Sequence, residues 1–504
     1  MTLATTLLLS MLAATPLEAD LRAVAALAGE PHLVGAAGVL KDETPVLTLE
    51  NPDAFDAAST KLRAVIFASG TSGDASAAVV RMVRWFKTAA PQQLRDRWAI
   101  SALPVAQFDA ADSLSLSRWM RFQAPDITIE VVGRDARPIG PGNVDTANWT
   151  LGMPAPDDAL GGTLRAAKPV RSAVHDAIAA LVSREPLAIA RLLARRYPEA
   201  PGISYIPSVA WVQTLRLADV VKDESLRAKV VEQTKPWTSG ERKLFGDRIQ
   251  LTAVAGTMVF DELAGRSAGL SREGALFDEG VAAAAKEKAP AEPEYGQGWT
   301  DDMFMATSVL ARSGARSGHE RDMDIAARLL TTYAARLQQP NGLFNHAANG
   351  PAAWGRGNGF AALGLVEALT RMVANHPSRA GLLEIYRSQM AAVRAHQSPD
   401  GSWRQIIDEP GAYREETATA MLMTAMARGV RLGWLDASFR PAVDRAWRAL
   451  AAHVADDGTL IDVCAGTGAG PTKRYYFDRP AVTGADDRGA AMALLAAVEY
   501  SELK

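Results

Sequence analysis

The chain has 504 residues, of which 48% are hydrophobic and 7% aromatic, and this length predicts two or three domains that each bury a core. A formal net charge of −3, from 54 Lys and Arg against 57 Asp and Glu, argues against a nucleic-acid binder, which usually presents a basic face. The single cysteine, Cys464, excludes internal disulfides and thiolate metal clusters.

The first residues contain a short apolar run, residues 7–14, followed by Pro16 and the small residue Ala19. The run is too short to span a bilayer and resembles the core of a signal peptide, although no basic side chain precedes it. We expect residues 1–19 to be a signal peptide and the protein to be periplasmic or secreted; an apolar helix packed on the fold is the alternative. No later segment has the ~18 uninterrupted apolar residues of a membrane span, so we expect no membrane association.

Residues 20–195 are predicted to form an α/β domain. Residues 63–87 begin with an apolar run, pass through a glycine-rich turn and continue with apolar residues at helical spacing. Two further apolar runs, 98–105 and 127–132, have the length and composition of buried strands. This strand–helix–strand order predicts a parallel or mixed sheet covered by helices. Residues 134–165 are rich in Pro, Gly, Asn and Asp and are expected to be loops.

From about residue 200 onward the sequence is dominated by helical periodicity. Consecutive helices with short breaks predict antiparallel hairpins arranged in a ring or solenoid over residues 200–504. Residues 282–294 have low complexity and are expected to be an exposed insertion. The helical stretches are 209–221, 248–263, 303–313, 323–338, 359–375, 379–396, 417–433, 441–454 and 488–500.

Three of the breaks combine polar and aromatic residues. The first carries Trp299 two residues before the acidic pair 301–302, the second is the glycine-rich segment 354–360, and the third ends in His346. Each segment also has a structural interpretation that requires no function. The acidic pair would cap a helix, the glycines would form a helix–helix turn, and the histidine would be a buried core residue.

In their order and spacing these segments resemble the unsaturated glucuronyl and rhamnogalacturonyl hydrolases of glycoside hydrolase families 88 and 105. The string Trp-Gly-Arg-Gly-Asn-Gly at 354–359, with its ordered neighbours, is the most specific part. The resemblance continues through 400–408, 416–421 and 466–480, and it covers about residues 200–504. It implies an all-α (α/α)6 barrel of six helical hairpins, which agrees with the helical pattern.

The resemblance also implies roles for individual residues. Asp301 would be the general acid/base, and Asp247 lies about where the family keeps its second active-site aspartate. Arg356 would hold the carboxylate of the substrate, and Phe360 stands where the family usually has Trp. The substrate-binding residues implied by position are Trp299, Asp302, His346, Trp354, Arg356, Asn358 and Phe360.

The implied function is the removal of an unsaturated (4,5-ene) uronic acid from the non-reducing end of lyase-generated oligosaccharides, by hydration of the vinyl ether. No metal and no cofactor is implied, and the expected partner is an oligosaccharide. Two alternatives stay open: a divergent (α/α)6 glycosidase or lyase acting on saturated uronides, and a non-catalytic glycan-binding protein. The sequence does not indicate an oligomeric state.

The N-terminal domain faintly resembles zinc carboxypeptidases of the M14 type through residues 67–75 and 125–133. Ser72, Ala75 and Val132 stand where those enzymes have their His, Glu and His ligands, so zinc-dependent hydrolysis is not expected. The domain is predicted to support the barrel. A serine esterase centred on Ser72 is the alternative, disfavoured because no Gly-x-Ser-x-Gly elbow is present.

Overall fold

The computed structural model describes residues 15–56, 58–69, 73–106, 113–134, 137–138, 140, 146–266, 271–316 and 318–503. Most of the predicted signal peptide, and Ser72, therefore lie outside the described residues. The chain divides into two compact units, with the main division between Asp176 and Ala177. None of the helices within the described ranges is both long enough and apolar enough to cross a bilayer.

A mixed six-stranded sheet is the centre of the first unit. The strand order in the sheet is β1-β2-β4-β3-β5-β6. The pairs β4–β3, β3–β5 and β5–β6 are parallel, and the pairs β1–β2 and β2–β4 are antiparallel. The elements are α1 (Pro16–Ala26), β1 (Leu33–Val39), β2 (Pro45–Glu50), a 3-10 turn (Pro52–Phe55), β3 (Leu62–Ser69), α2 (Gly73–Thr88), α3 (Gln92–Arg97), β4 (Trp98–Ala106), α4 (Ser113–Gln123), β5 (Ile127–Val132), β6 (Ala147–Gly152), α5 (Ala159–Ala166) and α6 (Ala173–Val182).

The strands predicted from apolar runs are present as β3, β4 and β5. Along β3, Ile66 packs in one core cluster and its neighbours Val65 and Phe67 in another, as alternation across a sheet requires. The prediction of loops over 134–165 was wrong, since this segment contains β6 and α5. Strand β6 was missed because it is mostly exposed and therefore lacks an apolar run.

The second unit is built from helices. Its elements are α7 (Pro186–Arg196), α8 (Tyr205–Val221), α9 (Glu224–Thr238), α10 (Leu251–Ala255), α11 (Met258–Ala264), α12 (Ser271–Ala284), β7 (Glu287–Ala289), β8 (Glu292–Pro293), α13 (Thr300–Gly314), α14 (Glu320–Leu337), α15 (Gly355–Arg371), α16 (Arg379–Ala395), α17 (Glu416–Arg431), a 3-10 turn (Ala437–Phe439), α18 (Arg440–His453), β9 (Leu460–Cys464), α19 (Lys473–Phe477), β10 (Ala481–Gly484) and α20 (Asp487–Ser501).

These helices form an inner and an outer layer. The inner layer consists of helices that are buried along most of their length: α8, α13, α15, α17 and α20. From α13 to α20, each of these helices contacts the next. The short helices α10 and α11 lie between α8 and α13 and contact both. Helix α20 also contacts α8. The amphipathic helices α14, α16 and α18 pack outside α13, α15 and α17. Small residues allow close approach: a Cβ at Gly364 of α15 would collide with the carbonyl of Met303 in α13.

Two predictions for this unit need correction. Residues 248–263 form two helices, α10 and α11, rather than one, with a break at Gly256, where a Cβ would lie 2.7 Å from the backbone nitrogen of Ser204. The segment 282–294 contains the end of α12 and the hairpin β7–β8, and Ala284 and Ala291 in it are buried. Ala282 and strand β7 are exposed, so the expected exposed insertion is correct for the hairpin strand β7 and wrong for the buried alanines.

The loops that precede three inner helices are joined to each other. Isolated β-bridges pair Trp299, before α13, with Ala347, and Trp354, before α15, with Ile406. The backbone amide of Cys464 donates to Glu415, the N-cap of α17. The N-terminal ends of α13, α15 and α17 therefore lie side by side, and the candidate site is at this end.

Candidate active site

Helix α13 begins at a fixed point because Asp302 binds the loop before it. The Oδ2 atom of Asp302 accepts hydrogen bonds from the amides of Gln297 (2.9 Å), Gly298 (2.7 Å) and Trp299 (3.3 Å), and from the hydroxyl of Tyr333 (2.8 Å). Burial raises the pKa of this carboxyl group to about 6, against the opposing effect of these hydrogen bonds. The capping role that the sequence left open thus falls to Asp302.

Asp301, one residue earlier, is free of the cap and faces a cavity of about 510 Å³. Its side chain is 17% exposed, and its Oδ2 atom lies 3.3 Å from Nε2 of His346 without the alignment of a hydrogen bond. A carboxyl group with one unsatisfied oxygen beside an open cavity is able to exchange a proton with a bound molecule.

His346 links Asp301 to the interior. Its ring is fully buried, and Nδ1 lies 2.9 Å from the hydroxyl of Tyr476. The rings of Trp354 and Trp299 lie 4.3 Å and 5.3 Å from it, measured between centroids. Burial raises the pKa of Tyr476 to about 12, so its hydroxyl stays protonated at neutral pH. The imidazole is therefore held in place from three sides, with Nε2 directed at Asp301.

The cavity brings together residues that are far apart in sequence. Asp247, exposed in the loop before α10, lines it together with Trp299, Asp301 and Asp302. The remaining lining residues are Arg248, Ile249, Gln250, Leu251, Thr252, Glu294, Tyr295, Gly296, Gln297 and Met305. Glu294 and Tyr295 follow the hairpin β7–β8, which sequence analysis did not connect with the site.

The glycine-rich segment 354–360 lies behind the cavity rather than on it. It forms the first turns of α15, and a Cβ at Gly355 would collide with the carbonyl of Arg404. Trp354 and Phe360 are each 1% exposed, and neither they nor Arg356 and Asn358 are among the described residues that line the cavity.

The contacts of these side chains differ from the sequence-based expectation. The guanidinium of Arg356 donates to the carbonyls of Cys464 (2.7 Å) and Ala465 (2.9 Å), which hold it beside the ring of Trp354. The amide of Asn358 bonds to both the backbone nitrogen and the carbonyl of Phe344, at 2.8 Å each. These contacts use Arg356 and Asn358 to fix loops that surround the site.

Phe360 is a core residue. Its ring stacks on Phe304 at 5.9 Å and meets the edge of Tyr205 at 5.4 Å. The predicted sugar contacts of Trp354, Asn358 and Phe360 therefore need correction, because all three side chains are buried and none lines the cavity. Arg356 stays within electrostatic reach of Asp301, and its predicted contact with a substrate carboxylate stays a prediction.

Comparison with protein families identifies a family match in the C-terminal part of the chain. Residues 268–504 match the family model described as Glycosyl Hydrolase Family 88. The unsaturated rhamnogalacturonyl hydrolase YesR of Bacillus subtilis is 29% identical over 192 residues, which are 36% of this chain and 54% of that protein. An unsaturated 3S-rhamnoglycuronyl hydrolase of Alteromonas sp. is 27% identical over 175 residues, 32% of this chain and 42% of that one. The chain spans about half the length of these curated relatives.

Solved structures share the fold over a larger share of the chain than the family model matches. A family 105 glycoside hydrolase from C. acetobutylicum superposes with a TM-score of 0.57 at 19% identity, covering 63% of this chain and 99% of that one. A family 88 glycosyl hydrolase from Bacteroides vulgatus gives a TM-score of 0.53 at 16% identity, with 63% and 99% covered. The predicted resemblance to families 88 and 105 is confirmed.

Proposed function

Because residues 268–504 belong to glycosyl hydrolase family 88, we propose that this chain is a glycoside hydrolase that removes an unsaturated uronic acid from the non-reducing end of lyase-generated oligosaccharides. The observation that carries the proposal is the position of Asp301, beside His346 and open to a 510 Å³ cavity with an aromatic wall at Trp299. The two curated relatives, an unsaturated rhamnogalacturonyl hydrolase and an unsaturated 3S-rhamnoglycuronyl hydrolase, support this substrate class.

The reaction uses the double bond between C4 and C5 of the terminal sugar, which is an enol ether. The carboxylic acid form of Asp301 delivers its proton to C4, and positive charge develops at C5 and the ring oxygen. The resulting carboxylate of Asp301 accepts a proton from water as the water oxygen bonds to C5. The hemiketal at C5 opens by breaking its bond to the ring oxygen, which leaves a ketone at C5 and a hemiacetal at C1. The hemiacetal then collapses to an aldehyde and releases the remaining oligosaccharide as an alcohol, so one water is consumed in total. This route differs from the direct displacement used by two-carboxylate glycosidases.

The neighbours of Asp301 have separate tasks in this scheme. His346, fixed by Tyr476, orients the carboxyl group, and Trp299 offers a ring on which the sugar stacks. Asp247 faces the same cavity and is placed to orient the attacking water. A positioned acid/base contributes about 10²–10⁴-fold to the rate.

We also propose that the inner helices close an (α/α)6 barrel. Support comes from the contacts of α20 with both α17 and α8, which join the last inner helix to the first. The periplasmic or secreted location is a further proposal, and it rests on the apolar run at residues 7–14.

The test is the Asp301→Asn variant, assayed by loss of the ultraviolet absorbance of the conjugated double bond in lyase-treated polysaccharides. We expect kcat to fall about 10²–10⁴-fold while the thermal unfolding midpoint stays near that of the wild type. Asp324→Asn, which removes a 66%-exposed carboxylate outside the cavity, is the matched control and should retain full activity.

Other outcomes separate the alternatives. Full turnover by Asp301→Asn would contradict the proposed role. Turnover of saturated but not unsaturated uronides would favour a divergent glycosidase or lyase. Sugar binding without any product from the wild type would favour a glycan-binding protein.

A further inference from the structure

The charges that line the cavity are unbalanced for an anionic substrate. Four carboxylates face it, from Asp247, Glu294, Asp301 and Asp302, and Arg248 is the single cation among its described lining residues. Any anionic group of an oligosaccharide that approaches such a cavity is repelled unless a cation compensates its charge. Arg356 is buried with both terminal nitrogens on backbone carbonyls, so it does not supply that cation at the cavity surface.

Arg248 is available to a ligand. Within the part of the chain that the structure describes it has no salt bridge and no side-chain hydrogen bond, whereas Arg488, another arginine near the inner helix ends, is paired with Asp486 at 2.8 Å. Arg248 is also exposed, whereas the side chain of Asp301 is only 17% exposed. The arginine therefore lies at the rim of the cavity and the acid deeper within it.

This arrangement assigns Arg248 to a particular part of the substrate. An enzyme that removes the terminal sugar binds that sugar deepest, next to the acid, and the rest of the chain leaves through the rim. A guanidinium recognises planar carboxylates and sulfates through paired hydrogen bonds. We propose that Arg248 is a specificity residue that binds an anionic group, carboxylate or sulfate, on the sugar that follows the unsaturated uronic acid. The inference rests on the proposed function.

The experiment compares three unsaturated disaccharides whose second sugar is neutral, carboxylated or sulfated, with kcat/KM measured for each. We expect the wild type to prefer the anionic substrates by about 3- to 10-fold, the range of a partly exposed charge pair. The preference should shrink as salt is added, because exposed charges are screened. The carboxylated and sulfated substrates show which anion is favoured.

Substitutions at this position isolate its effect. In Arg248→Gln the ratio of anionic to neutral substrates should fall to about 1, and in Arg248→Lys it should be partly retained. Lys243→Gln removes the same charge from an exposed position of the same loop that does not line the cavity, and it should keep the wild-type ratio.

Two results would overturn the assignment: a wild type that shows no preference for anionic second sugars, or an Arg248→Gln variant that keeps the wild-type ratio. A wild type inactive on all three substrates would instead contradict the proposed function, and this inference with it.

Discussion

The two ends of the inner helices differ in how their carboxylates are neutralised. At the C-terminal ends, Arg428 of α17 bonds to Glu499 of α20 at 2.6 Å and to Glu367 of α15 at 2.9 Å. Burial opposes ionisation there, yet Arg371 and Arg428 hold the pKa of Glu367 well below its usual range. At the N-terminal ends, Asp301 of α13 and Glu416 of α17 have no arginine partner among the described residues.

The difference shows which end stabilises the fold and which is left for chemistry. The helix dipole favours carboxylates at N-termini and arginines at C-termini, so it suits Asp301 and Arg428, whereas Glu367 and Glu499 near C-termini depend on their arginine partners. The C-terminal network satisfies its charges internally. At the N-terminal end, Asp301 lines the cavity and keeps one oxygen without a hydrogen-bond partner, and unpaired groups of this kind are typical of functional sites.

The largest effect on stability is expected from disrupting the charge network at the C-terminal ends of the inner helices. Arg428→Met removes the buried arginine that Glu367 and Glu499 share and leaves each with one arginine, Arg371 and Arg431, so the free energy of unfolding should fall by about 3–5 kcal/mol. Denaturant unfolding measures this loss. Activity per folded molecule should not change, because the residue is at the opposite end of α17 from the cavity.

A matched control lies on the same helix. Arg431 also bonds to Glu499, at 2.6 Å, but it is 30% exposed, and Arg431→Met should cost only about 0.5–1 kcal/mol. Equal losses for the two variants would contradict the importance of the buried network.

A smaller effect is expected from the pH dependence of Asp302. The pKa of its buried carboxyl group is raised to about 6 from 3.8, so the folded state holds this proton more tightly than the unfolded state does. The resulting stabilisation is complete below about pH 4 and is lost as the pH rises through about 6. Relative to Asp302→Asn, the wild type should therefore gain about 2–3 kcal/mol between pH 8 and pH 4. Denaturant unfolding of both proteins at the two pH values tests this, and a constant difference would refute it.

The smallest effect separates two adjacent glutamates at the start of α17. Glu415 accepts hydrogen bonds from the amides of Thr417, Ala418 and Cys464, whereas neither carboxyl oxygen of Glu416 has a partner among the described residues. Burial, with the charges of Glu415 and Asp486, raises the pKa of Glu416 well above its usual value and so favours its neutral form.

Replacement by the neutral amide should therefore matter at only one of the two positions. Glu416→Gln should change the free energy of unfolding by less than about 0.5 kcal/mol, and Glu415→Gln should lower it by about 1–2 kcal/mol. The reverse order of the two losses in thermal unfolding would contradict this assignment.

Short sequence motifs were sufficient to predict the site residues that lie at the starts of the inner helices. Trp299 and Asp301 flank the start of one helix, and His346 precedes another, so their proximity follows from neighbouring inner helices. Asp247 was placed by spacing, and it lines the same cavity as Asp301. Most helices of the second unit were predicted because their apolar periodicity is long and regular, but α9 and α12 were not among the predicted stretches.

The remaining parts depend on packing that no local string encodes. Asn358 and Phe360 were assigned to the substrate site by their positions in the family resemblance, but the start of α15 at Gly355 turns them inward. Arg248 and Tyr295 enter the cavity through loops whose course is set by α10 and by the hairpin β7–β8. In the first unit β6 was missed because its pairing with β5, rather than an apolar run, defines it.

The most direct test of the central claim is a crystal structure of the Asp301→Asn variant with a lyase-generated unsaturated disaccharide. The unsaturated ring should lie in the 510 Å³ cavity against Trp299, with C4 facing the side chain at position 301 at near contact distance. A disaccharide bound with C4 turned away from that side chain, or bound outside this cavity, would contradict the claim that the N-terminal end of α13 carries the chemistry.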